Sequence, residues 1–448
     1  MNEIAAPSPP RKVSREDVYR ALDRARVLRE RAAGRSARLL WLLAGPGLLV
    51  MLGENDGPSM VSYATTGATY GVGFFVPFIL FTFLMAYVVQ EMALRIGVAT
   101  QRGHAELIFQ RFGPFWGYFA VADLVFGNLL TLVTEFIAIQ AGGLYFGAPA
   151  WASVGLGAIA VFASLALRRY ATWERTLMAL AAGNLLFIPA ALYAHPDGGA
   201  LLAALGGHPL PDSLGAAFVT LILANIGATV TPWMLFFQQS AVVDKGLSPA
   251  DLPQGRLDTA LGAIVAAITA IATLVATSPL FAAHVDVSNF ASGADFATAL
   301  RPYIGTTGAT LFALGIIEAG LLAAMTISTS SSYALAEVFH AEHSLNLDFA
   351  SGRLFFGVAI GSTLLAGAIV LIPGAPLLAM TLTVNVIATL LMAPALLLLL
   401  LLANDAEIMG PLKNGWRANW IGGAIVGGIS LVGATYGIVT VFPDLIGK

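Results

Sequence analysis

The chain has 448 residues, of which 57% are hydrophobic and only 11% are charged, and its formal net charge is −3. Soluble domains carry about 25% charged residues, and so little charge cannot cover the surface of a soluble enzyme of this length. The composition therefore indicates a polytopic membrane protein, excludes a nucleic-acid partner by its charge, and excludes disulfides and thiolate metal sites because cysteine is absent.

The first 37 residues form a polar, basic segment, since ten of the 23 Lys and Arg residues precede residue 41. Residues 1–13 contain three prolines and are predicted to be disordered. A capping-box pattern from Ser14 to Asp17 then predicts a basic helix from Arg15 to about Ala33. Its apolar face consists of Val18, Leu22, Ala25 and Leu28. Two interpretations stay open: a membrane-surface helix drawn to anionic lipid or, as we favour, a positive-inside signal with no partner.

Eleven apolar windows of about 20 residues follow and predict eleven membrane spans. They lie near residues 39–67, 72–96, 114–140, 151–168, 173–194, 214–243, 257–282, 305–337, 353–372, 376–402 and 419–441. With the N-terminus inside, only Arg301 and Lys448 among the basic residues fall outside, which predicts an N-in, C-out orientation. We therefore expect a cytoplasmic tail, residues 1–37, and a transmembrane domain, residues 38–448, in the cell inner or plasma membrane.

Two spans carry helix-breaking residues at their middle. The first contains the run Gly53–Met60, with Gly57 before Pro58, and the sixth contains Gly227–Trp233 with Pro232. Proline removes a backbone hydrogen bond and glycine weakens the helix around it. Unpaired backbone at membrane depth survives only inside protein or beside a water-filled cavity. Two interrupted spans, five spans apart, therefore predict an inverted repeat of spans 1–5 and 6–10 with a midplane site; two simple proline kinks are the alternative.

Asp56 is the central candidate residue, because a carboxylate at bilayer depth costs about 2.5–3.5 kcal/mol and is normally retained for a ligand, a proton or a partner. Oxygen-bearing neighbours on the same stretch are Glu54, Asn55 and Ser59. On the sixth span, the hydroxyls of Thr229 and Thr231 and the freed carbonyl of Ala228 are expected to face Asp56. Such hard oxygen donors suit Mg²⁺, Ca²⁺ or Mn²⁺. The alternative is an Asp56 that only caps a half-helix.

Other polar residues lie within the spans. Asn385 in the tenth span is a further amide-oxygen candidate, although a bond between helices is the commoner role for one asparagine. Glu135 in span 3 and Glu318 in span 8 are intramembrane acids, for which a functional role and a structural one are about equally expected. Glu174 and Arg175 begin span 5, where a structural ion pair is expected.

The six histidines all fall in predicted loops or span ends, so the sequence predicts none beside the two broken helices and no histidine proton relay at the site. The chain has no HExxH, GxSxG or Walker A motif. Hydrolase chemistry and ATP drive are therefore not indicated, and we expect neither an enzyme nor a cofactor.

From about Gly45 to the last span, the chain resembles the NRAMP family of divalent-metal transporters, which have the LeuT-type fold of the APC superfamily. The family's first-span signature Asp-Pro-Gly-Asn is matched by Asp56-Gly57-Pro58-Ser59, and its sixth-span Ala-Thr-Val-Met-Pro-His by Ala228–Trp233. Glu135 falls where the family has a third-span glutamate. The resemblance implies a 5+5 inverted repeat plus an eleventh helix, with helices 1 and 6 broken.

The chain departs from the family pattern at positions linked to metal binding and at positions linked to proton transfer. The family's metal-binding methionine is Thr231 here and its asparagine ligand is Ser59. Its two sixth-helix histidines, linked to proton transfer, are Trp233 and Gln238, and its third-span aspartate is Leu132. The pattern is similar to the NRAMP-related magnesium transporter branch, and it implies a hard divalent cation as cargo.

The leading hypothesis is a monomeric secondary transporter that imports Mg²⁺, with Mn²⁺ accepted, by alternating access without proton coupling. The metal site is predicted at Asp56, Ser59, Ala228, Thr231 and Asn385; second-shell or relay candidates are Glu54, Asn55, Thr229, Trp233, Gln238, Glu135 and Glu318. The alternative is a proton-coupled Mn²⁺/Fe²⁺ importer. An amino-acid transporter is less favoured, because Asp56 and Glu54 repel a substrate carboxylate, and a non-transporting cation sensor lacks a sizeable soluble part.

Overall fold

A computed structural model describes residues 15–206, 210, 215–288, 290 and 293–441 of the protein. Every regular element within these residues is helical, which confirms the all-α prediction. The predicted disordered tail at residues 1–13, Ser14 of the capping box, His208 and Lys448 lie outside the described residues.

The helices follow the order of the predicted apolar windows. Up to residue 206 they are α1 (Arg15–Ala32), α2 (Ser36–Leu43), α3 (Pro46–Gly53), α4 (Gly57–Tyr70), α5 (Phe75–Thr100), α6 (His104–Phe112), α7 (Pro114–Tyr145), α8 (Ala150–Leu165), α9 (Tyr170–Ala181), α10 (Phe187–Tyr193) and α11 (Gly198–Leu205). After residue 215 they are α12 (Ala216–Gly227), α13 (Pro232–Lys245), α14 (Leu252–Ala282), α15 (Gly293–Val338), α16 (Arg353–Val370), α17 (Leu377–Ala403), α18 (Ala406–Met409) and α19 (Trp416–Val441).

Eight helices of the described residues are long and apolar enough to cross a membrane, and the bent pair α2–α3 makes a ninth span. The other two of the eleven predicted windows correspond to α8, which has only 16 residues, and to α19. The count of eleven spans and the N-in, C-out orientation stay predictions.

The first span is broken twice, at Ala44–Gly45 and at Glu54–Asp56. The second break is the predicted one, between α3 and α4. The first was not predicted: α2 ends at Leu43, α3 begins at Pro46, and the two helices are bent by 53°. Gly45 between them has φ +150°, a conformation that L side chains rarely adopt. Proline at the first position of a helix needs no hydrogen-bond partner, so Pro46 starts a new helix after the bend.

The sixth span is also interrupted as predicted, between Gly227 at the end of α12 and Pro232 at the start of α13. Pro232 has no N–H to continue the ladder of α12, and Thr231 before it is extended, with φ −120° and ψ 153°. The long helices α7, α14 and α15 lie at the centre of the bundle, and both broken spans pack against them. This arrangement buries both interruptions inside the protein.

Helix α1 lies against the bundle through buried Val27 and through arginines of its polar side. Arg24 and Arg31 approach the carboxylate of buried Asp251 at 2.6 and 2.5 Å. Val18 and Leu22 of the predicted apolar face point away from the protein, with exposed fractions of 45% and 51%. Two of the arginines thus form ion pairs within the chain, and both interpretations of α1, as a membrane-surface helix and as a positive-inside signal, stay predictions.

Candidate functional site

The two helix breaks face each other inside the bundle and are joined by hydrogen bonds. The Thr231 hydroxyl donates to Glu54 Oε2 at 2.9 Å, and the Tyr63 hydroxyl donates to the carbonyl oxygen of Ala228 at 3.0 Å. All four residues are buried. The fold therefore brings together the two stretches that the sequence singled out, although the paired residues are 177 and 165 positions apart in sequence.

Asp56 caps the second half-helix of the first span with one carboxylate oxygen and keeps the other oxygen without a partner. Its Oδ1 accepts a hydrogen bond from the Ser59 backbone N–H at 2.8 Å, so the capping role is real. Its Oδ2 is buried and has no hydrogen-bond partner. The capping and ligand interpretations of Asp56 are therefore compatible, because each uses a different oxygen.

Glu135 reaches the same helix start from α7. Its Oε2 accepts a hydrogen bond from the Gly57 backbone N–H at 2.9 Å, while its Oε1 is buried without a partner. The carboxylates of Asp56 and Glu135 thus both bind the first turn of α4. The N–H groups there have no partner within the helix and favour negative charge.

Unpartnered oxygen atoms are concentrated at this break. Each belongs to a buried side chain and has no hydrogen-bond partner: Glu54 Oε1, Asn55 Oδ1, Asp56 Oδ2, Ser59 Oγ and Glu135 Oε1. Leaving one buried polar group unpaired costs about 1–3 kcal/mol, and more when it is charged. A cation or bound water molecules would satisfy such oxygens. Within the described part of the chain, no three His, Cys, Asp or Glu side chains form a ready-made metal site, so an ion here needs hydroxyl, amide or water ligands as well.

Two other predicted ligands, Ala228 and Asn385, and the second-shell candidate Thr229 have partners of their own. The Ala228 carbonyl is covered by Tyr63. Asn385 donates its amide to Ser62 Oγ at 2.9 Å, which ties the tenth span to α4. Thr229 turns back to Asn225 and Ile226 of its own helix at 3.1 Å, so its hydroxyl is directed away from the facing break.

The remaining candidates surround the site or lie apart from it. Trp233 is buried, with an unpartnered ring nitrogen, and Gln238 donates to Thr259 at 3.0 Å. Asn55 donates its amide to the Ala266 carbonyl of α14 at 2.9 Å. Glu318 accepts both of its bonds from Asn184 in the fifth span, at 2.9 and 3.2 Å, and contacts neither break through a hydrogen bond.

Glu174 forms the structural ion pair expected at the start of span 5, but with a different partner. Its Oε2 lies 2.6 Å from Lys245 Nζ at the end of α13, and its Oε1 accepts a hydrogen bond from Tyr170. The lysine is 71 residues away in sequence, so only the fold makes this pair.

The prediction that no histidine lies beside the broken helices is wrong for His104. This residue begins α6, is fully buried, and packs its ring 4.7 Å from that of Phe236 on α13, while Nδ1 lies 2.8 Å from Gln239 Oε1. Burial lowers the pKa of His104 to about 4, so the ring is neutral at neutral pH. Sequence separation of more than 130 residues concealed this contact.

The comparisons with known proteins agree with this architecture. The family model described as "Natural resistance-associated macrophage protein-like" (Nramp) matches residues 47–439, which include the break at Glu54–Asp56 and the break between Gly227 and Pro232. The chain belongs to the Nramp family. The match begins at residue 47, inside α3 and after the break at Ala44–Gly45.

Two curated relatives are similar to the chain over most of their length. It is 28% identical over 300 residues to the divalent metal cation transporter MntH of Yersinia enterocolitica, covering 64% of this chain and 70% of that protein. It is 25% identical over 395 residues to MntH of Pectobacterium carotovorum, covering 86% and 91%.

Solved structures establish the fold. A manganese transporter of Eremococcus coleocola superposes with a TM-score of 0.72 at 19% identity, covering 91% of this chain and 89% of that one. The protein MhsT in complex with L-phenylalanine superposes with a TM-score of 0.58 at 16% identity, covering 87% and 97%. The predicted LeuT-type fold with broken helices 1 and 6 is thereby confirmed.

Proposed function

We propose that this Nramp protein carries a divalent metal cation across the membrane by alternating access, and that Mn²⁺ is a cargo. The observation that carries the proposal is the set of unpartnered, buried oxygen atoms where two broken helices face each other. The names of the curated MntH relatives, which are divalent metal cation transporters, support the same cargo class.

In this proposal Asp56 supplies the direct negative charge through Oδ2, and Ser59 adds its hydroxyl. Glu54 contributes Oε1 while its other oxygen is held by Thr231 across the site. Asn385 steadies α4 through Ser62 and supplies amide oxygen to the ion or to its water. The half-helices α3 and α13, each ending or beginning at a break, are the parts expected to move between access states.

Mg²⁺ is the second candidate cargo, and one observation favours it. The residue at the family's methionine position is Thr231, whose hydroxyl is engaged with Glu54. Met60, next to the break, has its sulphur 3.2 Å from the Thr273 hydroxyl of α14. The donors gathered at the break are therefore oxygen atoms, which suit Mg²⁺ as well as Mn²⁺.

Flux through the purified protein tests both proposals. Proteoliposomes containing the full chain would be supplied with Mn²⁺ or Mg²⁺ outside, with ion and pH indicators inside and protein-free liposomes as the control. We expect saturable Mn²⁺ uptake. Inhibition of Mn²⁺ uptake by Mg²⁺ at similar concentration supports Mg²⁺ as a second cargo. A rate of Mn²⁺ uptake that is unchanged by an excess of Mg²⁺ contradicts it.

The pH indicator separates the two coupling hypotheses. Proton-coupled import, with Glu135 as the carboxylate beside Asp56, acidifies the interior in proportion to the metal taken up. Uncoupled import of a hard cation leaves the interior pH unchanged. Absence of uptake of either metal would overturn the proposed function itself.

A further inference from the structure

A small cavity lies between helix α1 and the starts of two spans. Its wall includes Trp41 and Leu42 of α2, in the first span, and Arg175 and Met178 of α9, in the fifth. The cavity has a volume of about 50 Å³. Because a single water molecule needs about 10–15 Å³ of such space, the cavity accommodates a group the size of a few water molecules and not a whole lipid.

Basic side chains outnumber acidic ones in the wall of this cavity. Five residues are basic, namely Arg20, Arg24, Arg26, Arg175 and Lys245, and three are acidic. An excess of positive charge in a partly enclosed space attracts anions, since the low dielectric of the protein strengthens charge interactions there. The wall therefore favours an anionic ligand.

The three acidic residues are already engaged with other groups of the protein. Asp23 lies 3.3 Å from a guanidinium nitrogen of Arg169, and Glu174 has its ion pair with the lysine at the end of α13. The carboxylate of Asp244 accepts a hydrogen bond from the Ser344 hydroxyl at 2.6 Å. These carboxylates therefore have partners other than Arg175.

Arg175 is available to an anionic ligand. It is exposed, and among the residues that the structure describes no side chain pairs with it, because the neighbouring Glu174 pairs with Lys245. A guanidinium group presents a planar set of N–H donors that matches two oxygen atoms of one phosphate group. The chemistry of the cavity wall thus fits a phosphate.

We propose that this cavity binds the headgroup phosphate of an anionic phospholipid, with Arg175 as a direct contact and the arginines of α1 as further positive charge. The side chains of Trp41, Leu42 and Met178 in the same wall would contact the apolar part of the lipid. Trp41 is 64% exposed, and tryptophan is enriched where membrane spans meet the membrane surface. Basic pockets between membrane helices are known to bind the headgroups of anionic lipids.

The site depends on a part of the chain outside the Nramp match. That match begins at residue 47, whereas α1 and α2 end before it. A bound headgroup would join α1 to the starts of the first and fifth spans. The inference therefore goes beyond the proposed transport of a metal, and it is tested without a transport assay.

The test is a titration of the full chain in detergent, with the bound lipid counted by native mass spectrometry. The probes are phosphatidylglycerol, which is anionic, phosphatidylcholine, which has no net charge, and inorganic phosphate. We expect the protein to bind phosphatidylglycerol more tightly than phosphatidylcholine. Arg175→Gln should raise the dissociation constant for phosphatidylglycerol about tenfold, because a charge-assisted hydrogen bond is lost. Arg175→Lys keeps the charge without the planar fork and should give an intermediate value.

Arg353→Gln is the matched control, because Arg353 is an exposed arginine at the start of another helix, α16, and is not part of the cavity wall. It should leave the dissociation constant unchanged. Equal affinity for the two lipids, or equal weakening by Arg175→Gln and Arg353→Gln, would overturn the inference.

The inorganic phosphate titration separates a lipid from a free ion. If phosphate binds as tightly as phosphatidylglycerol and depends on Arg175 in the same way, the assignment of a lipid is overturned. The outcome is independent of metal transport: a protein that takes up no metal but binds phosphatidylglycerol through Arg175 overturns the proposed function and supports this inference.

Discussion

The two breaks of the first span differ in how their polar groups are satisfied. At the Gly45 break, defined as Ala44–Gly45, the carboxylate of Asp258 accepts from the N–H groups of Gly45 and Gly47 at 3.1 and 2.7 Å. Lys245 donates to the Ala44 carbonyl at 2.6 Å. Both helix ends are thus capped by charged side chains from neighbouring spans.

At the Asp56 break, defined as Glu54–Asp56, the capping is local and incomplete. Asp56 and Glu135 each bind one backbone N–H of α4 and each keep a second, unpartnered oxygen. A helix interruption by itself therefore does not mark a binding site, since the Gly45 break has its polar groups paired. The distinguishing feature is buried oxygen that the protein leaves unpaired.

The largest expected effect is loss of transport on changing Asp56→Asn. Asparagine is as good a helix cap as aspartate, so the half-helix is kept while the charge is removed. Metal uptake in proteoliposomes should fall to the level of protein-free liposomes, with the thermal unfolding midpoint nearly unchanged. Undiminished uptake would show that the Asp56 break is not the cargo site. The two breaks of the first span would then not differ in function.

At the Gly45 break we expect the opposite pattern for Asp258→Ala. Two buried N–H groups lose their acceptor, which should lower the free energy of unfolding by about 3 kcal/mol. The KM of the remaining folded protein should stay near the wild-type value. Asp197→Ala is the control, because Asp197 caps an exposed helix start through Gly199 and should cost about 1 kcal/mol or less. Equal losses in the two variants would contradict the structural role of Asp258.

A smaller effect, about tenfold, is expected for Thr231→Met, which places sulphur at the Asp56 break. Thioether ligands favour softer metals, so inhibition of Mn²⁺ uptake by Cd²⁺ should strengthen. Thr231→Val removes the same hydroxyl without adding sulphur and separates the two causes. The same Cd²⁺ inhibition in both variants would mean that residue 231 does not contact the cargo.

The smallest expected effect concerns α1, whose Val27 packs with Leu39 and Leu43 of the helix before the Gly45 break. Arg24→Ala removes a partly exposed ion pair while Arg31 still holds Asp251, so the free energy of unfolding should fall by about 1 kcal/mol. Arg26→Ala, which affects an exposed pair with Asp23, is the control. A thermal unfolding midpoint lowered equally by both changes would indicate that the Arg24–Asp251 contact adds nothing.

Sequence reasoning succeeded where the signal is local. Pro58 and Pro232 located two of the helix breaks, and apolar windows located the spans. The Gly45 break is not predicted although Gly45–Pro46 carries the same kind of signal, because it lies a few residues after the start of the window 39–67, where proline also fits an ordinary helix start.

The other omissions required distances across the bundle. Tyr63 on an apolar span is indistinguishable by sequence from a packing residue, and His104 falls in a connection between spans. Their partners, Ala228 and Gln239, are 165 and 135 residues away. The pairing of Glu174 with Lys245 instead of Arg175 has the same origin.

The sequence by itself determined that the chain is a helical membrane protein with two interrupted spans and an oxygen-rich midpoint, because hydrophobic length and the missing N–H of proline act locally. Only the tertiary structure decided which oxygens are paired and which are left over. A hydrogen bond depends on the positions of two groups brought together by packing, and here those groups come from different spans. The candidate cargo site is defined by these unpaired oxygen atoms, with Asp56 Oδ2 at its centre.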